Sequence, residues 1–160
     1  MISDRASGPP RGGQRMLGLD VGDKRIGVAV SDETALIATP LRVVKRGSGD
    51  RAEIGRMVAE WNANRVVVGL PTGLSGREGP QATAVRAYAD ALAVALDVPV
   101  TYWDERLTTA IAERALIEAG HRRAERKERI DAVAAAIILQ SYLDAVRFRQ
   151  RRATEHGSNR

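Results

Sequence analysis

The chain has no cysteine and only two histidines in 160 residues, and these absences bound its chemistry before any pattern is read. Without thiols there can be no disulfide, no thiolate-held zinc or iron–sulfur cluster and no cysteine nucleophile, and a reducing compartment fits. The imidazoles, His121 and His156, the second in a polar tail, make a poor zinc set. A catalytic metal would therefore be held by oxygen ligands, which favours magnesium or manganese. Aromatic residues make up 4% of the chain, so neither a base-stacking platform nor a base-reading helix is evident. No apolar run is long enough for a membrane span or a secretory signal, so a cytoplasmic protein without a membrane partner is expected.

The net charge of +5 is unevenly placed. Residues 1–14 hold Arg5 and Arg11 against Asp4, and residues 147–160 hold five arginines against Glu155, so residues 15–146 sum to zero. Bulk charge therefore says nothing about the folded body. Clustering says more: Arg122, Arg123, Arg126, Lys127 and Arg129 fall within eight residues, either a phosphate-binding patch or a solvated helix connection.

Length and apolar content suit a single domain. Residues 1–14 are polar and rich in Gly, Pro and Arg, as in a disordered leader; 15–149 form the domain, and 150–160 are expected to fray as a flexible basic tail. Within the domain, Arg15 to Val21 and Arg25 to Ser31 are strands joined by the tight turn Gly22-Asp23-Lys24, and Ile37 to Val44 is a third. From Arg51, apolar residues recur at three and four (Ile54, Met57, Val58, Trp61), predicting a helix. Val66-Val67-Val68 marks a strand buried on both faces over 65–69. A helix over 81–96, a strand over 98–103 and helices over 107–118 and 128–148 follow. The order βββαβαβα with a final helix is an α/β domain: a five-stranded mixed sheet, helices on both faces, with strands four and five parallel to strand one.

Three places in the chain put carboxylates near the carboxyl ends of the parallel strands. Asp20 interrupts the apolar strand Leu17-Gly18-Leu19-Asp20-Val21, where a buried acid is costly unless paired. Asp104-Glu105 closes strand five, and strand ends are where the loops of an open α/β sheet converge. Asp131 opens the last predicted helix, with Ala134 and Ala135 one turn on, small enough to let the helix approach the sheet. Each has a purely structural alternative. Asp20 could cap its turn, Asp104 or Thr108 could cap the next helix, Glu105 could sit in its first turn, and Asp131 could complement a helix dipole. If they converge they repel one another unless a cation offsets them. Divalent ions held in this way activate water and offset charge on a leaving oxygen in phosphodiester hydrolysis.

Four blocks, Leu19-Asp20-Val21-Gly22-Asp23-Lys24-Arg25-Ile26-Gly27-Val28-Ala29-Val30-Ser31-Asp32, Val67-Val68-Gly69-Leu70-Pro71, Asp104-Glu105-Arg106-Leu107-Thr108-Thr109 and Asp131-Ala132-Val133-Ala134-Ala135, together resemble the YqgF/RuvX family. Its members are described as Holliday-junction resolvases or as pre-16S rRNA nucleases. The resemblance spans roughly residues 15 to 146. It implies an RNase H-like fold, Mg2+ or Mn2+ dependence, and a site of Asp20, Glu105 and Asp131 as both catalytic and metal-binding residues. The loop from Pro71 to Gly79 resembles the family's loop after strand four, where backbone and Arg77 could meet phosphate. Lys24, Arg25, Thr72, Arg106, Arg122 and Arg123 are further candidate nucleic-acid contacts; Arg106 could instead orient Glu105 or make a surface ion pair, and His121 is a weak candidate for assisting product release.

The leading expectation is a metal-dependent nuclease acting on structured RNA or branched DNA, with processing of the 5′ end of pre-16S rRNA, in ribosomal precursor particles, ahead of junction resolution. A non-catalytic nucleic-acid-binding module of the same fold is the competing class. An actin-like ATPase is discounted, because the chain is too short for two lobes. A resolvase would require a homodimer; an RNA trimmer could be a monomer.

Overall fold

The computed structural model describes residues 15–72, 77–107 and 123–158, with the backbone alone at 107 and 123–129. Strands β1 (Arg15–Val21), β2 (Arg25–Ser31) and β3 (Ala38–Lys45) are followed by helix α1 (Asp50–Glu60), β4 (Ala63–Leu70), α2 (Pro80–Ala95) and β5 (Val100–Asp104). A short 3-10 turn covers Glu105–Leu107, and a long helix, α3, runs over Arg123–Gly157. The sheet order is β3-β2-β1-β4-β5. The β1–β2 and β2–β3 pairs are antiparallel, and β1–β4 and β4–β5 are parallel. This is the expected topology, and it places the ends of β1, β4 and β5 side by side.

Side-chain alternation divides the core. Leu17, Leu19, Val66 and Val68 pack with Ile54 and Met57 of α1 and Val85 and Leu92 of α2. Met16, Ala29 and Val67 point the other way, onto Ala135, Ile138, Leu139 and Tyr142 of α3. Because helices cover both faces, β4 can be apolar at every position from 66 to 68, each side chain fully buried and worth about 1.5–3 kcal/mol. Trp103 fastens β5 to α3 through an edge-on contact with Tyr142 (5.6 Å) and an indole N–H donated to Ser141 Oγ at 2.9 Å. One edge of the sheet is β3, which carries Pro40 opposite Ala29; an edge strand tolerates the missing N–H.

Two sequence expectations about the last helix need correction. It begins at Arg123, earlier than 128, and does not stop at Phe148 or fray from Gln150 but continues to Gly157. Its flanking stretches are built from Arg, Lys, Glu, Ala and Gln, good helix formers that need only propagate from a packed middle. The helix expected over 107–118 lies outside the described residues apart from Leu107, which belongs to the 3-10 turn. Among the described residues no helix is long and apolar enough to cross a membrane.

Candidate active site

Asp20 is the next-to-last residue of β1, and it lies on the α3 side of the sheet, in phase with Met16. Its neighbours across the sheet are both glycines. Gly27 pairs with it on β2, and one step beyond the Leu19–Val68 pair the parallel register sets Gly69 of β4 beside it. These two positions hold the space that the site occupies. A methyl on Gly69 would stand 2.7 Å from Glu105 Oε1, and one on Gly27 would stand 1.8 Å from the main-chain oxygen of Asp131. The missing side chains let the carboxyl of Glu105 and the backbone of α3 close in on either side of Asp20.

Asp20 and Glu105 are hydrogen-bonded to each other through their carboxyl groups. Burial pushes both upward. Glu105 reaches about 8, through burial, then the charge of Asp20, then the hydrogen bond it donates to Asp20, with the charge of Asp104 adding to the rise. Asp20 also stands above its usual value: burial raises it, the bond from Glu105 lowers it, and the charge of Asp131 raises it. Both carboxyls are thus held above their ordinary values, as expected of two acids crowded together away from water.

Asp131 is brought to the same corner, close enough for its charge to act on Asp20. It sits about two turns inside α3, beyond the first turn to which the helix dipole reaches, so complementing that dipole does not account for it. Ala135 and the facing glycines allow the close approach that the small residues predicted. Its carboxylate is held by Arg25, whose Nε donates to Oδ2 at 2.9 Å. Among the described residues no three His, Cys, Asp or Glu side chains are gathered as a ready cation cage, and Asp131 spends an oxygen on Arg25.

The other candidates divide. Lys24 is exposed at the β1–β2 turn and Arg77 is exposed at the start of the approach to α2. Thr72 donates its hydroxyl to Asp104 Oδ1 at 2.7 Å. Arg106 grips the same carboxylate, its backbone N–H on Oδ1 at 2.9 Å and its Nε on Oδ2 at 2.7 Å. The Arg106 bonds, outweighing burial and joined by Thr72, hold Asp104 down at about 2. Asp104 is thus a clamp that ties the β4 loop to the β5 end and aims Arg106. Arg122 and His121 lie outside the described residues, and Arg123 is the first residue of α3. Sequence reasoning missed that Arg25 faces Asp131 across 106 positions; its place beside the hairpin turn, on the strand that pairs with β1, was the available signal.

Comparison with known proteins agrees with this fold. RuvC of Thermus thermophilus, solved in complex with a Holliday junction substrate, superposes with a TM-score of 0.51 at 19% identity, covering 86% of this chain and 96% of that one. The fowlpox virus resolvase, solved with Holliday junction DNA, gives 0.52 at 10% identity over 83% of this chain and 99% of its own. At such identities the likeness is one of fold, and the fold is RNase H-like. A Chloroflexus aggregans protein named "Putative pre-16S rRNA nuclease" is 53% identical over 136 residues, 84% of this chain and 96% of that protein. The family described as RuvX, Holliday junction resolvase, matches residues 14–145, and to that family this chain belongs.

Proposed function

We propose that the chain is a nuclease that hydrolyses phosphodiester bonds in structured nucleic acid at the corner formed by Asp20, Glu105 and Asp131, with Mg2+ or Mn2+ as cofactor. The observation that carries this proposal is the contact between the Asp20 and Glu105 carboxyls, with Asp131 close by, on a strand row cleared of side chains. Two half-buried carboxyls in contact offer oxygen donors suited to a hard cation, which Asp20 and Glu105 would hold, with Asp131 completing the set once its carboxylate turns from Arg25. Such an ion, when bound, supplies water activation and charge compensation on the scissile phosphate.

The chain's own residues supply the rest. Glu105 donates its carboxyl hydrogen bond to Asp20, so the acid pair is not left as two adjacent bare charges. Arg25 holds Asp131 in place from β2. Arg106, braced on Asp104, presents a guanidinium beside the dyad, where it would meet a phosphate oxygen. The name carried by the Chloroflexus aggregans relative favours precursor rRNA as substrate. Four-way DNA is the second reading, favoured by the family's description and by the junction-bound fold relatives.

The test is cleavage of precursor rRNA and of a four-way DNA junction in Mg2+, Mn2+ or chelator, with Asp20→Asn run alongside. Loss of cleavage with retained binding in the variant is expected, and undiminished cleavage would overturn the site. Activity that persists in chelator would remove the cation from the proposal, and the faster substrate would rank RNA against DNA.

A further inference from the structure

Helix α3 is 35 residues long, and only part of it is needed to cover the sheet. Its last hold on the body is Arg147, which donates to the Leu36 carbonyl at 3.1 Å. From Phe148 to Ser158 every residue is exposed, on all sides of the helix, so nothing among the described residues packs against it. The match to the family ends at residue 145, just where this free-standing helical arm departs.

The arm concentrates charge. Arg147, Arg149, Arg151 and Arg152 face a single acid, Glu155, whereas residues 15–146 are neutral in sum. Like charges one turn apart on a helix repel, by a few tenths of a kcal/mol per pair. A self-repelling helix with no apolar face to bury is what a polyanion binder offers when its partner is absent. Its one large apolar residue, Phe148, is stacked beneath Arg152 at 5.9 Å, which leaves no greasy stripe for a lipid surface.

Its placement follows from helix geometry. The buried stripe of α3, Ala135, Leu139 and Tyr142, continues at spacings of three and four through Val146, Gln150 and Ala153. Arg151 and Arg152 lie off that stripe and point away from the sheet side. Arg149 is eighteen residues past Asp131, about five turns, so it lies on the same line along the helix surface about 27 Å from it. Rigid continuity through α3 fixes that separation, equivalent to about eight base pairs of B-form duplex.

We propose that residues 147–157 are a basic helical arm that grips the phosphate backbone of a double-helical substrate arm about 27 Å from the site at Asp131, setting the length of duplex the protein prefers. This rests on the nucleic-acid reading of the active corner and adds to it a second, remote contact.

The test uses the full chain carrying Arg149→Ala, Arg151→Ala and Arg152→Ala together. Alanine keeps the arm helical, which circular dichroism checks. Binding is measured over a salt series in an Asp20→Asn background, on duplexes reaching about five or about sixteen base pairs from the junction or processing point. On the long duplex the triple variant is expected to bind about tenfold more weakly, with a log–log salt slope shallower by about 3. On the short duplex no change is expected. Equal affinity and slope on the long duplex, or an equal loss on both, would overturn the arm. Arm-dependent binding to phosphatidylglycerol vesicles with unchanged duplex binding would assign it to a membrane surface and overturn it too. Cleavage by the chain with wild-type Asp20 is scored separately. If cleavage is absent while arm-dependent binding holds, the catalytic proposal fails and the arm stands; if no duplex binds at all, both fail.

Discussion

Two acid clusters, one buried and one half-buried, lie on opposite faces of the same sheet, and their carboxyls are shifted in opposite directions. At the head of α1, burial would raise Asp50, but the Gly47 N–H, the Tyr88 hydroxyl and the charge of Arg46 together hold it below its usual value. Arg46 in turn stacks over Tyr88 at 4.6 Å and donates to the Gly22 carbonyl at 2.8 Å, so every partner is itself committed. Across the sheet, Asp20 and Glu105 are hydrogen-bonded to each other, and both are raised. An acid that fastens the fold comes with its donors supplied, whereas under the proposed function the Asp20–Glu105 pair is one that a cation from solution would compensate.

The comparison can be broken most sharply by exchanging each acid for its amide. Asp20→Asn is expected to abolish cleavage, by about a thousandfold or more, while thermal unfolding of the metal-free protein shows no loss of stability. Asp50→Asn should do the reverse. It should lower stability by about 2 kcal/mol in denaturant unfolding, because the Gly47 N–H and Arg46 lose a charged partner, and leave cleavage per folded molecule unchanged. Loss of cleavage in Asp50→Asn at full foldedness would erase the distinction.

Next in size is Gly69→Ala. Its methyl would meet Ile138 Cδ1 at 2.5 Å and the Glu105 carboxyl at 2.7 Å, so a cost of about 1–3 kcal/mol is expected, with cleavage falling as well. Unchanged unfolding and activity would mean that the row beside Asp20 has slack.

The two clusters should also separate along pH. Glu105 rises from 4.5 to about 8 on folding, so the folded state binds its proton more tightly than the unfolded chain does. Its contribution to metal-free stability is complete below about 4.5 and is lost as pH climbs through about 8. Asp50 is lowered, so its contribution is present above its ordinary range and is lost on acidification. Glu105→Gln should flatten the alkaline limb of a stability–pH curve and leave the acid limb alone. In the wild-type chain, apparent Mg2+ affinity measured by calorimetry should increase as pH approaches about 8, since the ion displaces that proton.

The smallest effect belongs to Arg25→Gln. The Arg25–Asp131 pair is partly exposed, 38% and 23% at the two side chains, so its loss should cost under about 1 kcal/mol. Cleavage should nonetheless fall by about tenfold, as Asp131 loses its tether to β2. An unaltered rate would leave Arg25 a surface ion pair.

Much of this was legible in the residues. The unbroken valines of β4 announced its burial on both faces, and an acid within an apolar strand end was the clearest functional signal. The extent of α3 was not. A dense run of arginine and glutamate looks like a connection when judged by polarity, although those residues are good helix formers once a packed segment nucleates them. Nor was the division of labour between Asp104 and Glu105 legible, because two adjacent acids differ only in what the fold sets against them: Thr72 and Arg106 for one, Asp20 for the other. The partnership of Arg25 with Asp131 depends on a helix returning from 106 residues away, which no local pattern encodes.

The contact at Gly27 has a consequence for how this architecture can diverge. There the carbonyl of Asp131 occupies the volume of an absent methyl, so peptide backbone faces peptide backbone with no rotamer between them. A clearance bounded by main chain on both sides cannot be retuned by swapping neighbours of different size. Variation that alters substrate choice therefore has to arise at the periphery, in loops and extensions, while the gap beneath the carboxylates stays a fixed dimension.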